Sequence, residues 1–100
     1  GATRFHINLQ CGCDEDPRSD VAFHFNPRMG GQVVVRNSFQ GGWGDEERDS
    51  DEDFPFAEGE KFTVIIHVGK RAFNVIVKGK KILCYQHRIE DLSRINTIAV

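Results

Sequence analysis

Val21-Ala22-Phe23-His24-Phe25-Asn26-Pro27-Arg28 decides the fold. Val21, Phe23 and Phe25 alternate with Ala22, His24 and Asn26, and a period of two sends successive side chains to opposite faces of a pleated strand. Two aromatic rings then face a core while His24, Asn26 and Arg28 share the other side. Downstream, Gly30-Gly31 marks a turn into the β-branched run Val33 to Arg36, which reads as the hairpin partner. Upstream, Phe5, Ile7 and Leu9 alternate with His6, Asn8 and Gln10. Beyond a loop from Gly41 to Asp53, Phe62, Val64, Ile66 and Val68 alternate with Thr63, Ile65 and His67. Gly69-Lys70-Arg71 turns into Phe73, Val75 and Val77, and Lys78-Gly79-Lys80 turns again into Ile82 to Tyr85. Ile95 to Val100 reads as a final strand after a polar connection. Apolar residues at i, i+3, i+4 and i+7 are absent from every window of about a dozen residues, so no helix is expected. Seven short strands joined by tight turns predict an all-β, antiparallel sandwich or barrel.

At 100 residues the chain fits one domain. No apolar run approaches the roughly 18 residues of a membrane helix, so membrane insertion is not expected. The net charge of -2 argues against nucleic-acid binding, which needs a basic surface to displace counterions from phosphates. Charge is nevertheless segregated: residues 1–60 carry five Arg and thirteen acids, and residues 61–100 carry eight Lys or Arg and two acids. Cys11, Cys13 and Cys84 form no C-x-x-C pair, which predicts free thiols and a reducing compartment. Cys84 is expected to be buried in its apolar strand, with Cys11 and Cys13 partly exposed. No basic region followed by an apolar stretch opens the sequence, so no secretory signal is expected.

The row His24, Asn26 and Arg28 combines an imidazole, an amide and a guanidinium, a mixed donor and acceptor array suited to a ligand rich in hydroxyls. Asn37 ends the partner strand and falls near the same row if the two pair. Trp43, the sole Trp, lies between Gly42 and Gly44 and is better placed as an exposed platform than as core packing. Glu46 and Arg48 follow, and a carboxylate between Arg28 and Arg48 would be held ionised. Taken singly, each of these is an ordinary solvated residue, and Arg28 with Glu46 an exposed ion pair worth about 0 to 1 kcal/mol.

Three segments, His24-Phe25-Asn26-Pro27-Arg28, Val34-Val35-Arg36-Asn37-Ser38 and Trp43-Gly44-Asp45-Glu46-Glu47-Arg48, together resemble the galectin carbohydrate-recognition domain. The resemblance extends from Arg4-Phe5 through Phe54-Pro55-Phe56 to His87-Arg88 and Ile98. It implies a two-sheet β-sandwich of jelly-roll, concanavalin A-like type, binding β-galactosides such as lactose or N-acetyllactosamine in a concave-face groove without metal, cofactor or catalysis. By that resemblance His24, Asn26 and Arg28 would bond the axial 4-hydroxyl of galactose, and Asn37 and Glu46 the 6-hydroxyl. Trp43 would stack on the ring, while Arg48, with Glu46 and Arg28, would reach the neighbouring sugar. The family carries strands before Arg4-Phe5 and after residues 95–98, so the chain is expected to be one such domain, incomplete at both ends. The resemblance further implies glycoprotein or glycolipid glycans as partners, a dimer or second lectin domain for avidity, and cytoplasmic and extracellular locations reached without a signal peptide.

Three alternatives weigh against this reading. A glycosidase needs two placed carboxylates, one with a raised pKa, whereas Glu46 beside guanidiniums should be lowered. Asp49, Asp51, Asp53 and Glu60 match positions 1, 3, 5 and 12 of a calcium loop, yet Phe54 stands where Gly should turn. A solvated acidic loop is the expectation there. That loop, residues 49–53, would also be the route to a protein-interaction module whose occluded groove has lost sugar binding.

Overall fold

The computed structural model describes residues 4–14, 18–48, 54–57 and 59–100. Each of the seven expected runs forms a strand: β1 (Ile7–Gln10), β2 (Val21–Arg28), β3 (Val33–Phe39), β4 (Val64–Val68), β5 (Ala72–Val77), β6 (Lys80–Gln86) and β7 (Thr97–Ala99). They build two antiparallel sheets, one in the order β3-β2-β1-β7 and the other the meander β4-β5-β6, packed as an all-β sandwich. β7 is shorter than the Ile95-to-Val100 run because Leu92–Arg94 forms a 3-10 turn. The Asp91 carboxylate accepts from the Ser93 amide at 3.2 Å and closes that turn, so the chain joins the sheet only afterwards.

The pleat sorts the side chains as expected. Phe23, Phe25, Phe73, Val75, Val77 and Tyr85 are fully buried between the sheets. Phe23 stacks on Phe73 with centroids 4.9 Å apart and meets Tyr85 at the same separation. Phe56, from the connection between the sheets, packs edge-on against Phe5 at 5.4 Å. A polar bond joins the layers inside this apolar contact. The Ser38 hydroxyl gives its hydrogen to the Ala22 carbonyl at 2.8 Å and therefore accepts from the Tyr85 hydroxyl at 2.6 Å.

Lys78 and Gly79 both take positive φ, 55° and 75°, the geometry of a two-residue type I′ turn whose twist matches its flanking strands. The expectation for Cys84 is overturned, since it is exposed. Its apolar neighbours Leu83 and Tyr85 point inward, and by the same alternation Cys84 faces outward opposite Asn74. Cys11 is half-buried and Cys13 exposed, as expected. In β4, Ile65 and Val68 are also exposed. The acidic run Asp49 to Asp53 lies outside the described residues. Of the calcium-like spacing only Glu60 is described, and it pairs with Lys78.

The core sets the expected scale of damage. Phe23→Ala should cost about 3–5 kcal/mol, as for large-to-small aromatic substitutions in a close-packed interior. Tyr85→Phe should cost only about 1 kcal/mol, because Ser38 keeps its bond to Ala22. Urea denaturation midpoints, with m-values to confirm a two-state transition, check both figures.

Candidate functional site

Antiparallel register brings one residue from each strand of the first sheet into a row. Asn37 of β3 stands opposite His24 of β2, which stands opposite Asn8 of β1, and Ala99 of β7 completes the line. Since Phe23 and Phe25 fill the interior, this row lies on the sheet's outer face. The outer face holds an open groove of about 520 Å³, and six of the seven expected residues line it: His24, Asn26, Arg28, Asn37, Trp43 and Glu46. The seventh, Arg48, is attached through Glu46, donating from Nη2 at 2.8 Å and from Nε at 3.2 Å.

A chain of amides fixes the protonation pattern of His24. Gln10 Nε2 donates to the Gly12 carbonyl at 3.0 Å, which leaves Gln10 Oε1 to accept from Asn8 Nδ2 at 3.4 Å. Asn8 Oδ1 therefore faces His24 Nδ1 at 2.6 Å and must accept its hydrogen. With Nδ1 protonated, Nε2 carries a lone pair. The ring's pKa is pushed down to about 4, first by burial and then by the nearby charges of His6, Arg18 and Arg28. At neutral pH His24 is thus an uncharged acceptor.

Asn26 and Arg28 are coupled in the same way. Asn26 Nδ2 donates to the Phe5 carbonyl at 2.7 Å while its Oδ1 accepts from Arg28 Nε at 3.0 Å. Beyond that bond, the terminal nitrogens of Arg28 remain as donors. Of the two guanidiniums expected beside Glu46, Arg48 bonds it directly and Arg28 acts on it only through space. The Glu46 carboxyl is held below its ordinary range, chiefly by the hydrogen bond from Arg48.

Trp43 is 45 % exposed, in keeping with a platform. Its ring lies 4.9 Å from the His24 ring and packs edge-on against Phe39 at 5.3 Å. The result is a flat apolar surface beside a neutral acceptor, two guanidiniums and a carboxylate. Such a set matches a ring with C–H groups on one face and hydroxyls at its rim.

Several contributors were not legible as site residues. Arg4 and His6 also line the groove, and His6 lies 5.7 Å from the His24 ring. The guanidinium of Arg18 sits over Trp43, 4.9 Å from its centroid. Asn8 had a signal in its alternation with Ile7 and Leu9, but its partner depends on register. Arg88 had a place in the family resemblance but no site role: it reaches Asn37 from 51 positions away.

Comparison with known proteins agrees with this geometry. Residues 1–100 match the family model described as galactoside-binding lectin. The chain is 45% identical over 100 residues to galectin-8 of Rattus norvegicus, covering 99% of this chain and 30% of that protein. It is 41% identical over 100 residues to galectin-7 of Homo sapiens, covering 99% of this chain and 70% of the relative. Among solved structures, a double variant of human galectin-16 superposes with a TM-score of 0.80 at 34% identity, covering 93% of this chain and 63% of that one. Galectin LEC-6 of Caenorhabditis elegans gives a TM-score of 0.69 at 31% identity, covering 86% and 56%. The chain belongs to the galactoside-binding lectin family, the galectins, a family of lectins and not of enzymes.

Proposed function

We propose that this chain is a single carbohydrate-recognition domain that reversibly binds lactose-type and N-acetyllactosamine-type β-galactosides, without metal or catalysis. The observation that carries this reading is the placement of Trp43 4.9 Å from a neutral His24, the middle member of the Asn37–His24–Asn8 row. Galactose has an axial 4-hydroxyl, so one ring face is left with C–H groups to meet the indole. The hydroxyl donates to His24 Nε2 and accepts from Arg28 and Asn26. Asn37 and Glu46 take the 6-hydroxyl, while Arg48, braced by Glu46, reaches the next sugar. The equatorial epimer would leave these partners unpaired.

The groove is open, so a disaccharide is expected to bind at about -4 to -6 kcal/mol, a dissociation constant from about 1 mM down to tens of micromolar. Avidity would come from a dimer or a second lectin domain acting on glycoprotein or glycolipid glycans. Cytoplasmic and extracellular locations follow from the same reading.

Titration with lactose and with its 4-epimer cellobiose, followed by Trp43 fluorescence and calorimetry, tests the assignment. Lactose should saturate and cellobiose should not; a folded sample that binds neither removes the galactoside reading. Replacing Trp43 with Leu should weaken lactose by roughly tenfold or more and leave the melting temperature close to the parent's, given the ring's exposure.

The acid response has a definite sign. His24 titrates at 6.5 when unfolded and at about 4 when folded, so between these values the unfolded chain binds more protons. The stability contribution of neutral His24 is fully present above pH 6.5 and is lost as pH falls toward about 4. Lactose affinity should stay level from pH 8 to about 5 and drop near 4, where Nε2 ceases to accept. Calorimetric titrations across this range check it. An affinity midpoint near 6.5 would contradict the buried, neutral imidazole.

A further inference from the structure

Arg88 lies in a bend just after β6, the last strand of the second sheet, yet its guanidinium reaches the groove on the first. Nη1 donates to Asn37 Oδ1 at 2.9 Å. Nη2 donates to the Asp45 carbonyl at 2.8 Å and to Glu47 Oε2 at 2.9 Å. The central carbon of the guanidinium lies over the Tyr85 ring, 5.0 Å from its centroid. One cation therefore bonds β3, the Trp43-to-Arg48 segment and the core aromatic of the second sheet.

These contacts leave Asn37 little freedom. Its Oδ1 accepts from Arg88 and from the Ser38 amide at 2.8 Å, and its Nδ2 donates to the Gly44 carbonyl at 2.8 Å. A flipped amide would set Nδ2 against two N–H donors and Oδ1 against a carbonyl. With both lone pairs of Oδ1 engaged, Asn37 can offer a ligand one N–H and no acceptor. Gly44 marks how tightly the parts meet. A Cβ there would stand 3.0 Å from Arg88 Nη1 and 3.3 Å from Asn37 Oδ1.

We infer that Arg88 is a positioning residue of the groove: it sets the Asn37 amide as a pure donor and pins Asp45 and Glu47, so that Glu46 stands beside it as a pure acceptor. The inference rests on the galactoside reading proposed above and refines what that site selects. A group between Asn37 and Glu46 must accept from the first and donate to the second. A hydroxyl does both with one oxygen, a methyl does neither, and a carboxylate would meet Glu46 as a like charge. Arg88 thereby makes the site selective for the primary alcohol at carbon 6 of galactose without touching the sugar.

The test is a cycle between protein and ligand. Lactose and lactose deoxygenated at carbon 6 of its galactose are titrated calorimetrically into the parent chain, Arg88→Met and Arg88→Lys, with circular dichroism to verify folding. The parent should prefer lactose by about tenfold, the scale of a charge-assisted hydrogen-bond set at an open site. In Arg88→Met the deoxygenated sugar should retain most of its affinity while lactose falls, bringing the preference to within about twofold of unity. Arg88→Lys keeps a cation near Glu47 and Tyr85 but lacks the planar pair of nitrogens, so it should lose most of the preference too. Should the methionine variant not fold, the lysine variant carries the comparison. A folded variant that keeps the parent's ratio, whether both affinities drop or neither does, overturns the positioning role. A parent that binds neither sugar instead overturns the galactoside reading itself.

Discussion

The stacking of Phe23 on Phe73 is the contact on which the rest of the molecule depends. Burying that ring between the sheets fixes which face of β2 points inward, and a strand has no intermediate choice: a slip of one residue would exchange the two faces entirely. His24, Asn26 and Arg28 reach the groove because Phe23 and Phe25 cannot. The same alternation places Asn8 and Asn37 in register with His24 on either side. The polar row is therefore a by-product of core burial, held by the largest favourable term available to a domain of this size.

On that frame, the groove is built from groups whose donor and acceptor roles are settled before any ligand arrives. Backbone carbonyls do most of the settling. Gly12, Phe5 and Gly44 each take a hydrogen from a side-chain amide, and the other end of each amide is then committed. Preorganisation of this kind lowers the ordering cost of binding, which matters at an open site where little area is buried. Electrostatics follow the same logic. Burial, helped by the charges of His6, Arg18 and Arg28, keeps His24 uncharged, while the hydrogen bond from Arg48 keeps Glu46 ionised.

Much of this was legible in the sequence because a period of two is local. Residues 21–28 declare their own faces, as do 5–10 and 72–77, and all seven strands formed where alternation and turn residues put them. Six of the seven expected site residues share one groove because they lie on β2, β3 or the segment just after β3. The failures have a common cause. Cys84 was assigned by its apolar neighbours and not by its own parity within β6. Glu46 lies between Arg28 and Arg48 in the sequence reading, and what local pattern leaves out is only that Arg48 bonds it directly while Arg28 is drawn to Asn26. The amide chain behind His24 depends on inter-strand register, and the reach of Arg88 to Asn37 depends on how the two sheets close; neither leaves a trace in local pattern.

The close approach at Gly44 bears on how this sequence can change over generations. A Cβ at that position would stand 3.0 Å from the Arg88 guanidinium and 3.3 Å from the Asn37 amide oxygen, so a side chain there asks both to give way by a few tenths of an ångström. Three sites scattered along the chain thus share one small volume and are not free to drift independently. In descendants of this sequence, a side chain gained at position 44 is felt at positions 37 and 88 together.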